Sequence, residues 1–370
     1  MGVHSLSRLK SVDFLSNQLL KSKWRVVLVL SLTTLIFIFY TMPMDSVSPH
    51  HRPKTKLIFM NRNLCVSSAA KNNTQRTAVI VVLSSRKNSE RRNLVRQTYG
   101  SVKSANNVQI LAVVFLLANS DAHNNDVDRN KLQVESDRFG DIIMGDFVDS
   151  YRNLTLKTIM AYDWLTSHCR EAQFVVKTDD DVVVNIFELT RRLDSLSPAE
   201  MVSSNIWCRV DQNESTVTNI SSKFYASPVD FPNDKFPNHC SGLGYVTTFD
   251  VIERIMDDIS KSFPARVCTH EDVFMTGVVV THINSNPNSE PIKLVSLRHM
   301  FSIALETCRE DDDQFLLNFV KNATMDTEIE NCRSFRERNN KTIFFLITHN
   351  EEFEGVLRRL WQIIKKSFSN

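Results

Sequence analysis

The sequence predicts an α/β protein with a mostly parallel sheet flanked by helices, preceded by one transmembrane helix and a stem. Uninterrupted apolar runs of strand length alternate with amphipathic helical segments between residues 77 and 196. This alternation is typical of parallel strands that are covered by helices on both faces. An uncharged run near the N-terminus, Val26–Met42, predicts the transmembrane helix.

The N-terminal region has the features of a membrane anchor. Val26–Met42 contains 17 uncharged residues, close to the shortest run that crosses a bilayer core of about 30 Å. More basic residues precede the run than follow it at a comparable distance, which places the N-terminus in the cytosol. A cleaved signal peptide is the alternative, but the run is long for one, begins late and lacks a small-x-small cleavage site. The predicted organisation is a cytosolic tail (1–25), a signal-anchor (26–43), a luminal stem (44–75) and a luminal domain (76–370).

Each element of the domain follows from its hydrophobic pattern. Apolar runs predict strands at Thr77–Leu83, Val108–Ala118, Asp141–Phe147, Phe174–Thr178 and, less regularly, Val182–Val184 and Thr342–Thr348. Helical periodicity predicts helices at Glu90–Tyr99, Asp128–Phe139, Leu154–His168, Asn185–Leu196, Phe249–Ser260 and Glu351–Ile364. Between residues 197 and 248 the pattern breaks into turns and short strands.

Composition limits the function. The chain has 370 residues, 42% of them hydrophobic and 23% charged, which is ordinary for a globular protein. The net charge of +2 is too balanced to favour a nucleic-acid partner. Seven cysteines all follow the anchor and fit an oxidising compartment, although the sequence does not give their pairing. The oligomeric state also stays open.

Three adjacent carboxylates, Asp179–Asp181, lie between two apolar runs and are the first candidate site. Carboxylates confined between buried segments repel one another, and a hard divalent cation such as Mg²⁺ or Mn²⁺ removes that repulsion. Alternate residues of an extended chain point to the same side, so Asp179 and Asp181 can face one ion. A solvated acidic turn is the alternative. The equally acidic run Glu310–Asp313 has no buried strand before it, and there we expect a solvated loop.

Two further features are weaker on their own. The pair Glu271 and Asp272 can supply a general base, although an acidic pair at a helix N-terminus is the commoner explanation. His349 follows a predicted strand and is a possible metal ligand, with a surface or capping histidine as the alternative.

At these positions the chain resembles the β1,3-galactosyltransferase / β1,3-N-acetylglucosaminyltransferase family of inverting glycosyltransferases, collinearly from about residue 78 to 365. Residues 92–100 (RNLVRQTYG) resemble the family's R-x-x-I-R-x-T-W-G, and residues 135–143 (ESDRFGDII) resemble E-S-x-x-(Y/F)-x-D-I-I. Residues 146–158 (DFVDSYRNLTLKT) are similar to D-F-x-D-S-Y-x-N-L-T-L-K-T, and residues 177–181 (KTDDD) to the metal motif K-x-D-D-D. Residues 236–245 (FPNHCSGLGY) are similar to Y-P-x-(Y/F)-C-S-G-x-G-Y, and residues 271–274 (EDVF) to E-D-V-(Y/F). The chain then has one residue more before Gly277 than the common E-D-V-Y-x-G.

The resemblance implies a GT-A type fold, a UDP-sugar donor, dependence on Mn²⁺ (or Mg²⁺) and a single-pass type II Golgi membrane protein. It implies that Asp179 and Asp181 hold the metal, with His349 as a further ligand, and that Asp272, or else Glu271, is the catalytic base. The residues it implies on the donor side are Arg92, Arg96, Lys177, Asp180, Gly242 and Gly244. Candidate N-glycosylation sites are the sequons at Asn72, Asn213, Asn219, Asn322 and Asn340; the sequon at Asn153 lies inside a family motif at a helix start, where packing disfavours a glycan.

The expected function is therefore transfer of galactose from UDP-galactose to a glycan acceptor of a glycoprotein or glycolipid, with a β1,3 linkage. Transfer of N-acetylglucosamine or N-acetylgalactosamine is the alternative within the family. A catalytically inactive, membrane-anchored lectin or partner protein is the alternative from another class.

Overall fold

The computed structural model describes residues 56–65, 75–119, 126–262, 268–297, 301–304, 343–347 and 353–368. All of them belong to one compact unit, His50–Asn370. Within these residues, no helix combines the length and the apolar character that crossing a bilayer requires. The predicted tail and signal-anchor, the acidic run Glu310–Asp313 and His349 lie outside the described residues.

The described residues form twelve strands and eight α-helices. The strands are β1 (Leu57–Phe59), β2 (Arg76–Leu83), β3 (Ser104–Ala105), β4 (Val108–Asn119), β5 (Ile142–Val148), β6 (Phe174–Asp179), β7 (Val182–Val184), β8 (Asn205–Asp211), β9 (His239–Thr248), β10 (Lys293–Ser296), β11 (Phe301–Ala304) and β12 (Phe344–Ile347). The helices are α1 (Ser89–Gln97), α2 (Asp126–Phe139), α3 (Leu154–His168), α4 (Ile186–Asp194), α5 (Pro198–Val202), α6 (Phe249–Ser262), α7 (Val279–Ser285) and α8 (Phe353–Phe368). A π-helical turn, Val273–Val278, leads into α7.

The main sheet has the strand order β1-β5-β4-β2-β6-β9-β8-β10, with β3 attached to β4. The central strands β5, β4, β2 and β6 are parallel, as predicted from their apolar runs. The sheet as a whole is mixed and not mostly parallel, because β9 pairs antiparallel with both β6 and β8. β8 and β9 come from the region where the sequence pattern breaks into turns.

Hydrophobic residues fill both faces of the main sheet. Along β2, Ala78, Ile80 and Val82 join the core on one face, and the alternate residues join the core on the other. The first core includes residues of α1, α4 and α8, and the second includes residues of α3, α6 and α7. The α/β class and the covering of both faces are therefore confirmed.

The folded domain begins earlier than the predicted boundary at residue 76. β1 lies in the segment predicted as stem and pairs with β5 in the main sheet. Cys65 forms a disulfide with Cys169, just after α3. A strand of three residues and a single cysteine give too weak a sequence signal to distinguish this segment from a stem.

Candidate active site

The acidic triplet lies where the chain passes from one sheet to another. β6 ends at Asp179 in the main sheet, and β7 begins at Val182 in a second sheet of order β11-β12-β7. In this second sheet Val182 is paired with Leu346 of β12. Asp180 and Asp181 therefore connect the two sheets at the carboxyl end of a central strand, where α/β sheets commonly bind ligands.

The three carboxyl groups have different surroundings. Asp180 is buried and accepts hydrogen bonds from Ser84 Oγ (2.7 Å), Asn88 Nδ2 (2.8 Å) and Arg91 Nη1 (3.1 Å). Burial, followed by repulsion from Asp179 and Asp180, raises the pKa of Asp181 to about 7. Burial also raises the pKa of Asp179. Asp180 is thus held within the protein, whereas Asp179 and Asp181 are the carboxylates whose charge is poorly compensated.

Lys177 joins the triplet to the second acidic pair. Its Nζ lies 3.2 Å from Asp179 Oδ1 and 3.1 Å from Glu271 Oε2, and it donates to the Gly242 carbonyl at 2.8 Å. Burial alone would lower the pKa of Lys177, but the charges of Asp179 and Glu271 outweigh burial and raise it. The buried ammonium therefore stays charged and ties β6, β9 and the segment after Cys268 together.

Glu271 and Asp272 differ in exposure although they are neighbours. Glu271 is buried, and Thr158 Oγ1 donates to its Oε1 at 2.9 Å while Lys177 contacts its other oxygen. Asp272 is half-buried and accepts from the Val273 amide at 2.9 Å. Its Oδ2 lies 3.0 Å from where a Cβ on Gly242 would be, so a side chain there would press on this carboxylate.

A π-helical turn follows Asp272 and accounts for the extra residue in this part of the sequence. A π turn closes each hydrogen bond over one residue more than an α turn, which accommodates an insertion without shifting the helix that follows. Within the turn, Thr276 Oγ1 donates to the Asp272 carbonyl (2.7 Å) and accepts from the Cys240 amide (2.9 Å). The turn thereby attaches the Asp272 backbone to β9.

The structure gives several residues predicted on the donor side an internal role. Arg92 is fully buried and forms a two-pronged contact with Glu135 through Nε (2.8 Å) and Nη2 (2.6 Å). Arg96 contacts Asp141 in the same way, at 2.7 and 2.8 Å, and also reaches Glu135. At Gly244, the space of a Cβ is taken by the Phe344 ring, 2.8 Å away. The arginine contacts join α1 to α2 and to the start of β5, and the absence of a side chain at Gly244 lets β9 pack on β12. Arg92 also donates to the Ser85 carbonyl in the loop after β2, at 2.6 Å.

This arginine network gives a pH-dependent contribution to stability. Burial alone would raise the pKa of Glu135, but hydrogen bonds and charge from Arg92 and Arg96 outweigh burial and lower it. A lowered carboxyl pKa contributes stability above the unfolded-state value, and that contribution is lost as the pH falls through the folded-state value. We expect Glu135→Gln to lower the free energy of unfolding by about 2 kcal/mol at pH 7, with the difference from wild type shrinking below about pH 4. Urea denaturation of both proteins from pH 7 to pH 3 measures this, and a pH-independent difference would contradict it.

Two functional candidates were missed by the sequence analysis. Arg91, adjacent to the motif arginine, contacts Asp180 and lies 3.9 Å from Asp181 Oδ2. Tyr151 is 41% exposed, and burial of its hydroxyl, followed by the charges of Asp272 and Asp179, raises its pKa to about 12. Its ring meets the ring of Phe224 edge to face, with centroids 5.7 Å apart. Tyr151 lies inside the motif at residues 146–158, which was the available signal.

The remaining predicted residues fall in three groups. Asn213 and Asn219 are exposed, whereas Asn153 is half-buried and its Nδ2 donates to the Val148 carbonyl at 2.8 Å. Asn72, Asn322 and Asn340, like the predicted ligand His349, lie outside the described residues. The cysteines of the described region form the disulfides Cys65–Cys169 and Cys208–Cys240 and leave Cys268 as a thiol.

The family model and the relatives that match this chain fall in one group of proteins. A family model described as Galactosyltransferase matches residues 90–290. Beta-1,3-galactosyltransferase 5 of Homo sapiens is 36% identical over 208 residues, covering 56% of this chain and 63% of the relative. Beta-1,3-galactosyltransferase 1 of Mus musculus is 32% identical over 209 residues, covering 56% of this chain and 61% of the relative. The match therefore spans less than two thirds of either relative.

Among solved structures, the apo structure of the WbbM bifunctional glycosyltransferase is similar over 82% of this chain and 53% of that chain. The TM-score is 0.36 and the sequence identity is 11%.

Proposed function

Because the chain belongs to the galactosyltransferase family, whose model matches residues 90–290, we propose that it is a metal-dependent, inverting β1,3-galactosyltransferase. The donor is UDP-galactose, and the acceptor is a glycan of a glycoprotein or glycolipid. One observation carries the proposal: Lys177 bridges the acidic triplet at the end of β6 and the acidic pair that contains Asp272. The proposed donor site and the acidic pair with the candidate base thereby lie on either side of one buried ammonium group. A mixed sheet with an acidic motif at a strand end also supports a GT-A type fold.

The carboxylate oxygens of Asp179 and Asp181 are suitable ligands for a hard divalent cation. Asp179 and Asp181 are carboxylates with raised pKa values in partly buried positions, and oxygen ligands of this kind suit Mn²⁺ or Mg²⁺. These two residues would hold the ion, with His349 as the proposed further ligand. When bound, the ion would neutralise negative charge on the diphosphate of the donor.

The surroundings of the acidic pair support Asp272 as the general base. Both oxygens of Glu271 are engaged by Thr158 and Lys177 inside the protein, so Glu271 is the less suitable candidate. Asp272 is half-buried beside Gly242, where an acceptor hydroxyl can reach it. Its carboxylate removes the hydroxyl proton as the acceptor oxygen attacks the anomeric carbon from the face opposite the leaving UDP, which inverts that carbon. A single base suffices here, whereas a glycoside hydrolase needs two paired carboxylates.

Several neighbouring residues position this machinery. Arg92 and Asp180 hold the loop after β2, and Arg96 ties α1 to Asp141 at the start of β5. Lys177 fixes Glu271 and Asp179 in place. On the acceptor side, the exposed rings of Tyr151 and Phe224 form an edge-to-face pair suited to the apolar face of a sugar.

We also propose a single-pass type II Golgi membrane protein with a luminal catalytic domain. The run Val26–Met42 and the basic residues before it support this topology. Two disulfides within the described domain and the exposed sequons at Asn213 and Asn219 support an oxidising, glycosylating lumen. An inactive lectin-like protein is disfavoured because such a protein has no need for the buried acidic groups around Lys177.

A donor panel tests the proposed activity. The purified full chain is incubated with Mn²⁺, a panel of glycan acceptors and one of UDP-galactose, UDP-N-acetylglucosamine or UDP-N-acetylgalactosamine, and UDP release is measured. We expect release from UDP-galactose to be at least about tenfold faster than from either N-acetylated donor and to require an acceptor. Faster UDP release from an N-acetylated donor would show that the chain transfers that sugar instead of galactose. No UDP release from any donor would contradict the enzyme function.

A further inference from the structure

Away from the acidic triplet, three side chains with metal-ligand atoms converge at the end of the β8–β9 ladder. Asp211, Glu214 and His239 each offer one ligand atom, and these atoms lie within 4.8 Å of one another. Asp211 is the last residue of β8 and is paired with His239, the first residue of β9. The 27 residues between them form a loop, 212–238, so the cluster lies where this loop begins and ends.

His239 has the environment of a metal ligand. It is 2% exposed, and its Nδ1 lies 2.9 Å from the Pro237 carbonyl. A carbonyl only accepts hydrogen bonds, so Nδ1 carries a hydrogen and Nε2 is the ring nitrogen that can bind a ligand. Histidines that bind metals are commonly oriented in this way by a backbone carbonyl at the other ring nitrogen.

The other ring nitrogen of His239 faces a carboxylate. Glu214 Oε2 lies 3.3 Å from His239 Nε2. A nitrogen and an oxygen at this distance can share a proton, as an imidazolium–carboxylate pair, or can both bind one metal ion. Asp211, whose Oδ2 lies 3.1 Å from Arg209 Nη2, adds a second carboxylate, and two carboxylates together favour a doubly charged metal ion over a proton.

The backbone holds the three residues in place before any ion binds. The disulfide Cys208–Cys240 joins β8 and β9 next to the cluster. Asn213, with φ of 56°, turns the chain between Asp211 and Glu214. The Glu214 carbonyl accepts from the Phe236 amide at 3.0 Å, which fixes Glu214 against the returning end of the loop.

We propose that Asp211, Glu214 and His239 form a second cation site, for a divalent transition metal such as Zn²⁺. One imidazole and two carboxylates suit Zn²⁺, and three protein ligands leave a fourth position for water. The site closes the base of loop 212–238, which carries Phe224 beside Tyr151. In the related family motif an aromatic residue precedes the cysteine, so His239 makes this site a feature of this chain.

The test measures Zn²⁺ binding and not catalysis. The chelator-treated full chain is titrated with Zn²⁺ by calorimetry, and its thermal midpoint is recorded with and without Zn²⁺. All variants are made in an Asp181→Ala background, so that the acidic triplet does not contribute. Glu214→Gln removes a half-exposed ligand and leaves the fold intact, and His239→Gln removes the buried ligand. Glu253→Gln is the matched control, because Glu253 is similarly exposed and is paired with Arg170 away from the cluster.

We expect the Asp181→Ala background and the Glu253→Gln control to bind one Zn²⁺ and to melt at a higher temperature with it. Glu214→Gln and His239→Gln should weaken Zn²⁺ binding at least as much as loss of a partner that only orients a ligand, which costs about 10- to 100-fold, with a smaller or no rise in the midpoint. Equal Zn²⁺ affinity in Glu214→Gln and Glu253→Gln, or no saturable Zn²⁺ binding in the background protein, would overturn the proposal. The contact between His239 and Glu214 would then be an imidazolium–carboxylate pair. Should His239→Gln fail to fold, the comparison of Glu214→Gln with Glu253→Gln is sufficient to test the proposal.

Discussion

Asp272→Asn is expected to lower kcat for galactosyl transfer by about 10²- to 10⁴-fold, the usual contribution of a general base, and to leave the affinity for UDP unchanged. Asparagine keeps the shape of the side chain and its hydrogen bond from the Val273 amide, but it does not accept a proton from the acceptor hydroxyl. Because Asp272 is half-buried, and because Lys177 pairs with Asp179 and Glu271, the variant should fold normally.

This prediction is measured by comparing kcat with UDP affinity in the same preparation. Asp257→Asn is a suitable control, since Asp257 is exposed and its carboxylate pairs with Lys261, one turn along the same helix. If Asp272→Asn retained wild-type turnover, the base would have to be another residue. If it lost UDP binding instead, Asp272 would belong to the donor site.

Lys177→Met should lower the free energy of unfolding by about 3–5 kcal/mol, the cost of removing one partner from a buried ion pair. Methionine fills a similar volume, so the main loss is electrostatic. Without the ammonium, the buried Glu271 keeps its hydrogen bond from Thr158 but loses its ion pair, and Asp179 loses the positive charge 3.2 Å from its Oδ1.

Denaturant unfolding of wild type and variant measures this effect, with the exposed Lys261→Met as a control. The double variant Lys177→Met, Glu271→Gln should recover part of the loss, because glutamine carries no charge that needs a partner. A loss below about 1 kcal/mol in Lys177→Met, in the range of a surface ion pair, would show that Lys177 does not hold the two acidic groups together.

The central strands and most helices could be predicted from the sequence because their signal is local. The run at residues 77–83 is apolar throughout since β2 is buried on both faces, and that property is visible without knowing its partners. β9 was not predicted, because its residues 239–248 include two glycines and several polar side chains, and its burial depends on β6 and β8. The second sheet was missed for the same reason, since β7 pairs with a strand about 160 residues away.

The same distinction applies to the site. The position of Asp179–Asp181 after a strand was predictable from adjacent residues, but the contacts of Asp180 with Ser84 and Arg91 join positions about 90 residues apart. Family resemblance pointed to Arg92 and Arg96 without showing that their charges are turned toward Glu135 and Asp141. The extra residue before Gly277 was visible in the sequence, and only the structure shows that a π turn absorbs it.

The most direct test of the proposed active site is a UDP titration of the full chain with and without Mn²⁺, repeated with Asp181→Ala. We expect saturable binding of UDP by the wild type with Mn²⁺, weakened at least about tenfold by chelation or by the substitution, because the charge on the diphosphate is then no longer neutralised. UDP affinity that is the same with Mn²⁺, without Mn²⁺ and in Asp181→Ala, or no UDP affinity at all, would contradict it.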